Sequence, residues 1–177
     1  PYGAAPDEQV SFDGPELYAG LRGEAGPEQQ AKLLDFVLLL ALCHTVVVEE
    51  IDGKKRLSAS SPDEAALVAA AKYLGVEFVE KQHGIVTLRD TMGDGRGVGG
   101  GKAASRSYEV LEVLEFTSAR KRMSVVVKDP ATGVIKLLSK GADNIMLELL
   151  SPACAAVRQQ TEQHMEDHAN DGLRTLV

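Results

Sequence analysis

The sequence has few of the residues that mark specialised protein classes. It contains no tryptophan and only two cysteines in 177 residues, Cys43 and Cys154. Their wide separation fits neither a disulfide framework nor a zinc-binding spacing, so we expect two buried thiols. The longest unbroken apolar run, residues 36–43, has eight residues, whereas a membrane-spanning helix needs about 20. The sequence therefore predicts no disulfide scaffold, no zinc ribbon and no membrane span.

An excess of positive charge is also missing. The chain has 19 Lys and Arg against 26 Asp and Glu, a formal net charge of −7. Nucleic-acid and anionic-membrane binders carry a basic surface, so we expect neither partner, and an anion would need a local basic site. With 44% hydrophobic and 25% charged residues, the composition is that of an ordinary globular protein. The length predicts a single domain over residues 1–177.

The order of the predicted elements indicates an α+β fold. Prolines and glycines predict an irregular lead-in over residues 1–27, and a buried helix follows at 28–44. The string S-P-D-E at residues 61–64 places a helix N-cap at Ser61. A glycine-rich stretch, residues 93–107, is predicted to be a flexible insertion. We expect a twisted, mainly antiparallel sheet flanked by helices, with strands at 76–79, 85–89, 108–116, 123–128, 134–139 and 173–177.

Several motifs suggest catalysis or metal binding but lack the neighbouring elements or residues that such sites require. Residues 95–100 satisfy G-x-G-x-x-G, but a strand follows where a dinucleotide site needs a helix. His164 and His168 are spaced for one helix face, yet no third ligand lies nearby in the sequence. No Ser-His-Asp arrangement is evident. We therefore predict no catalytic residues and no metal site in this chain.

Two short basic segments remain as candidate ligand contacts. Arg120, Lys121 and Arg122 form the densest basic cluster and lie close to Phe116, a combination that suits a nucleotide because rings stack on bases and cations meet phosphates. A solvated turn is the alternative. Lys140 and Gly141 follow another strand, where a glycine lets a ligand approach the backbone and where the lysine is expected to bury little. A simple helix entry is the alternative here.

These segments occur together in an order that resembles a known family. The strings S-P-D-E-A-A-L (residues 61–67), F-T-S-A-R-K-R-M-S (116–124), K-G-A-D (140–143) and D-G-L-R-T-L (171–176) are similar to those of the nucleotide-binding domain of P4-type ATPases, the phospholipid flippases. The first two strings are the most specific, whereas K-G-A is shared by P-type ATPases generally. The resemblance implies the fold of that domain over nearly the whole chain.

The resemblance also implies roles for two residues beside the adenine base. Phe116 should stack on the ring, with a place in the core as the alternative. Glu64 should accept a hydrogen bond from the adenine amino group. Its position in the first helical turn also gives it a purely structural explanation, the capping of its own helix.

Five further residues are implied on the rest of the nucleotide. Lys121 and Lys140 should lie near the base, ribose and phosphates, and Arg174 should reach the β-phosphate. These cations suit a polyphosphate. Ser118 and Gly141 should line the pocket.

The function implied is that of one part of a larger enzyme. The D-K-T-G-T phosphorylation string is absent from the sequence, so we expect the chain to bind ATP, with magnesium as its counter-ion, and to lack turnover of its own. Its partners would be the phosphorylation and actuator domains of the same phospholipid-transporting parent, on the cytosolic side of a membrane. Alone, the chain should be monomeric. A stand-alone nucleotide-binding or regulatory domain and a structural domain with coincidental motifs are the alternatives.

Overall fold

The third helix illustrates how local sequence determines the architecture. Ser61 has extended backbone angles, φ −147° and ψ 154°, and its hydroxyl accepts a hydrogen bond from the Glu64 amide at 3.2 Å. Pro62 occupies the first turn, where its missing N–H costs nothing. Gly75, with φ 104°, follows the end of the helix. The predicted helix start at Ser61 is confirmed.

The computed structural model describes residues 14–51, 53–91 and 104–177. The helices are α1 (Pro15–Leu21), α2 (Pro27–Leu42), α3 (Pro62–Tyr73), α4 (Asp143–Met146) and α5 (Ala155–Asn170). The strands are β1 (Val47–Ile51), β2 (Lys54–Ser58), β3 (Val76–Gln82), β4 (Ile85–Asp90), β5 (Ala104–Leu114), β6 (Arg122–Lys128) and β7 (Ile135–Gly141). Short 3-10 turns lie at Leu147–Leu149 and Pro152–Cys154.

Two sheets form among these strands. β1 and β2 make an antiparallel hairpin, and β3 to β7 form a five-stranded antiparallel sheet in chain order. The register pairs Phe78 with Leu88 and Leu88 with Arg106. Phe78 and Leu88 are both buried. Helices α2 and α3 both contact β3, so helices cover one part of the sheet. The predicted α+β class, with an antiparallel sheet flanked by helices, is confirmed.

The chain divides into two compact units. The first comprises the described residues up to 112 together with 125–138, and the second comprises 113–124 and 139–177. In the first unit, apolar faces of α2 and α3 pack together and bury Val37, Ala41 and Ala71 completely. In the second, Met123, Gly141 and Leu147 are buried. A single domain over residues 1–177 stays a prediction.

Three predicted segments differ from the structure. The lead-in is not irregular throughout, because Pro15–Leu21 is helical and buries Tyr18 and Leu21; residues 1–13 lie outside the described part. The insertion predicted over 93–107 ends earlier, since 104–107 belong to β5; residues 92–103 also lie outside it. No strand forms over 173–177, where only Val177 pairs with Gly141.

Of the two cysteines, Cys43 is buried as expected, whereas Cys154 is half-buried; both thiols are free. Among the helices within the described ranges, none is both long and apolar enough to cross a membrane.

Candidate functional site

Phe116 lies on a loop that joins β5 to β6. The strand ends at Leu114, and residues 118–120 form a turn that the Lys121 amide closes by donating to the Thr117 carbonyl at 2.7 Å. The ring of Phe116 is 61% exposed. Such exposure excludes the alternative that Phe116 belongs to the core and leaves its ring open to stacking.

The three basic residues that follow Phe116 differ in their contacts. Arg120 donates from its guanidinium to the Leu114 and Glu115 carbonyls at 3.1 and 3.0 Å, and Arg122 donates to the Arg120 carbonyl at 3.2 Å. Lys121 is exposed, and within the described part of the chain its ammonium has neither a hydrogen bond nor an ion pair. Lys121 is therefore the cation of this cluster that is best placed to meet a ligand.

The backbone of Lys121 has an unusual conformation. Its φ is 50°, in the left-handed region that side chains other than glycine rarely adopt. The Lys121 carbonyl accepts from the Ala142 amide at 2.9 Å. The loop carrying Phe116 and Lys121 is thus tied to the end of β7, where Lys140 and Gly141 lie.

Gly141 is buried at the junction of three segments of the second unit. It exchanges two backbone hydrogen bonds with Val177, at 2.7 and 3.0 Å. A Cβ atom on this residue would lie 2.6 Å from the Lys121 carbonyl oxygen and 2.8 Å from the Arg122 Cα. The glycine is therefore required by the close approach of the chain's own backbone, which differs from the ligand approach expected from the sequence.

Lys140 is not the lightly buried lysine that the sequence predicts, because only 8% of it is exposed. Its neighbour Ser139 donates to the Ser124 hydroxyl at 2.8 Å, and Ser124 is also buried. The sequence predicts a strand that ends at residue 139, whereas β7 continues through Lys140 to Gly141, and its last two residues are the buried ones.

Arg174 and Ser118 are both exposed. The segment carrying Arg174 begins where α5 stops: the Leu173 amide donates to the His168 carbonyl and the Gly172 amide to Ala169, each at 3.0 Å, with Gly172 at φ 78°. This is the Schellman arrangement, and it ends α5. Arg174 then lies between this cap and the Val177 pair with Gly141.

Glu64 lies in the first unit and is 8% exposed. Its Oε1 accepts from the Thr45 amide at 3.0 Å, and its Oε2 accepts from the hydroxyls of Thr45 and Ser60, each at 2.7 Å. These bonds give the Glu64 carboxylate a structural role. Its partners are Thr45 and Ser60, whereas the sequence suggested that it caps its own helix. Sequence reasoning missed Thr45 because nothing in the local pattern joins it to a residue 19 positions away. Ser60 lies only four residues before Glu64, and that spacing could have suggested the contact.

Six of the seven predicted site residues lie in one of the two units. The second unit contains Phe116, Ser118, Lys121, Lys140, Gly141 and Arg174, and the first contains Glu64. Within the described ranges, no group of three or more His, Cys, Asp or Glu side chains could hold a metal ion. The roles of the individual residues stay predictions.

Comparison with known proteins identifies the fold to which these units belong. The family described as P-type ATPase, cytoplasmic domain N, matches residues 32–177. The chain belongs to this family. The resemblance seen in the four sequence strings is thereby confirmed, and the family's description as a cytoplasmic domain agrees with the predicted cytosolic position.

Curated relatives narrow the comparison within the family. The chain is 44% identical over 149 residues to a probable phospholipid-transporting ATPase 11 of Arabidopsis thaliana, which covers 83% of this chain and 12% of the relative. It is 41% identical over 174 residues to phospholipid-transporting ATPase DNF1 of Chaetomium thermophilum, which covers 96% and 10%. The chain thus spans about a tenth of the length of these relatives.

Proposed function

We propose that this N domain binds ATP and presents its γ-phosphate to an aspartate on the phosphorylation domain of a phospholipid-transporting parent. The names of the relatives support the class of parent. The observation that carries the binding proposal is the 61% exposure of Phe116 on a loop that also carries an exposed cation, Lys121. An exposed aromatic ring costs hydration free energy that a stacked base would recover.

Each side chain has a chemical role in this proposal. The Phe116 ring stacks on adenine, and the Lys121 ammonium meets the phosphates, with Ser118 on the same loop. Lys140 lies near the base, ribose and phosphates, Gly141 lines the pocket, and Arg174 contributes a second exposed cation for the phosphates. A role for Glu64 beside the adenine amino group stays a prediction of the family resemblance, because its carboxylate already accepts three hydrogen bonds within the first unit.

Magnesium in this proposal arrives with the nucleotide and neutralises part of the phosphate charge. The phosphorylation and actuator domains of the same parent are the proposed partners, and the accepting aspartate belongs to the former. The chain itself supplies binding and orientation of ATP.

The test is Phe116→Ala in the 177-residue chain. A stacked base is worth about 1–3 kcal/mol and exposed cation contacts add little, so we expect wild-type affinity near the millimolar range, about 4 kcal/mol. The substitution should weaken ATP binding in an NMR titration by about tenfold or more, with the melting temperature nearly unchanged because the ring is exposed.

The matched control is Phe36→Ala. Phe36 is 49% exposed on α2, and its removal should leave ATP affinity unchanged. A large loss of stability in Phe116→Ala with ATP shifts retained would refute the stacking role. Absence of any ATP binding by the wild-type chain would refute the proposed function as a whole.

A further inference from the structure

Arg120 uses its guanidinium on the protein itself. One nitrogen, Nη1, donates to the carbonyls of Leu114 and Glu115 at 3.1 and 3.0 Å, and Nη2 approaches the Ser124 hydroxyl at 3.4 Å. The Arg120 amide also donates to the Thr117 hydroxyl at 3.2 Å. These contacts involve residues on both sides of Phe116 in the sequence.

We propose that Arg120 is a positioning residue, which holds the Phe116 loop in the geometry that stacks on a base and does not contact the phosphates. This inference rests on the proposed function of Phe116. Because the ring is 61% exposed, packing alone restrains it only in part. Its direction is then set by the backbone immediately before it, and Arg120 holds the two carbonyls of that backbone.

The residue on the other side of the guanidinium, Ser124, is buried. Ser124 is 2% exposed on β6 and also accepts a hydrogen bond from Ser139 at 2.8 Å. The guanidinium thus connects the loop to the buried Ser124 hydroxyl, which is hydrogen-bonded to the half-buried Ser139 within the same unit. Three N–H donors of the five in an arginine side chain are directed at the chain in this way, which leaves Lys121 as the exposed cation of the loop.

A lysine should not replace Arg120 in this role. The guanidinium is planar and presents its donors as a fixed fork, whereas an ammonium is a compact charge on a flexible stem. Arg120→Lys therefore keeps the positive charge that a phosphate contact would need and removes the geometry that positioning needs. The two roles of Arg120 are separable by this one substitution.

The experiment compares adenosine with ATP as ligands of the 177-residue chain by NMR titration. If Arg120 positions the ring, Arg120→Lys weakens both ligands by the same factor, about three- to tenfold. Lys121→Gln, in the same loop, should weaken ATP and leave adenosine unchanged. Arg158→Lys is the matched control: Arg158 lies on α5 and pairs with Glu162, and both affinities should stay at their wild-type values.

Two results would overturn the inference while the proposed function stands. Arg120→Lys could weaken ATP and leave adenosine unchanged, which would make Arg120 a phosphate contact. It could also leave both affinities unchanged, which would make the hydrogen bonds irrelevant to the site.

A second measurement needs no nucleotide. The sequence contains no tryptophan, so Phe116→Trp introduces a single fluorescent reporter at the ring position. Adding Arg120→Lys should lower the steady-state anisotropy of this reporter, and Ser124→Ala should lower it less. Unchanged anisotropy in a folded double variant would contradict positioning, even if the wild-type chain bound no ATP.

Discussion

At the scale of single residues, Glu64 is a buried carboxylate with a complete structural explanation. Three hydrogen bonds from Thr45 and Ser60 reach its two oxygens at 2.7–3.0 Å. Hydrogen bonds to a charged group are stronger than neutral ones, and each donor would be costly to leave without an acceptor. The same carboxylate can therefore join α3 to the end of α2 whether or not a nucleotide is bound.

Glu64→Gln should destabilise the chain by about 1–3 kcal/mol, because the acceptor loses its charge and the Thr45 and Ser60 hydroxyls must turn from donating to accepting. Urea unfolding followed by circular dichroism measures the change. Glu162→Gln provides the control, since Glu162 belongs to an exposed ion pair with Arg158, and such pairs are worth about 0–1 kcal/mol. An equal loss of unfolding free energy in the two variants would show that the Thr45 and Ser60 bonds stabilise the chain no more than an exposed ion pair does.

Sequence patterns predict those residues whose partners lie within one helical turn. The Ser61 cap was predictable because Pro62 and Glu64 mark it locally. The hydrogen bonds of Glu64 with Thr45 were not, because they depend on how α2 and α3 pack. Gly141 was predicted as a site residue for ligand approach, but the contact that excludes a side chain comes from Lys121 and Arg122, about 20 residues earlier.

At the scale of elements, the start of β5 could not be predicted from the alternation of apolar and polar residues. Its first four residues, 104–107, are all exposed, so no apolar alternation separates them from the glycine-rich stretch before them. They nevertheless pair with β4, from Ala104 opposite Asp90 to Ser107 opposite Thr87. Strands 85–89 and 123–128 were predictable because their buried residues alternate or run together.

This boundary can be tested by deletion. A short linker that replaces residues 93–103 should leave the melting temperature nearly unchanged, because loop closure depends weakly on length, about 0.6 kcal/mol per doubling. A deletion extended to 93–107 should lower it by several degrees, since it removes four pairs of the β4–β5 ladder. If both deletions melt alike, the pairing of residues 104–107 adds nothing to stability.

At the scale of the whole molecule, the chain corresponds to about a tenth of its relatives and lacks a D-K-T-G-T string. Phosphoryl transfer from ATP needs an acceptor as well as positioned phosphates. The proposed division of labour assigns the acceptor to another domain and leaves binding to this one.

We therefore expect the isolated chain to release no phosphate from ATP above the uncatalysed background in a colorimetric assay at saturating nucleotide. Phe116→Ala serves as the control for contamination, because activity that survives this substitution would not come from the proposed site. Release by the wild-type chain that Phe116→Ala abolishes would show that the chain turns over ATP without a partner domain.

The backbone contact at Gly141 sets how far apart two lysines, Lys121 and Lys140, lie along the fold. The peptide units of residues 121–122 and 141–142 lie against each other through main-chain atoms, with one hydrogen bond between them. This backbone contact therefore sets the separation between the α-carbons of Lys121 and Lys140. Surface substitutions around this junction can accumulate without altering that spacing, whereas a single methyl group at position 141 would change it.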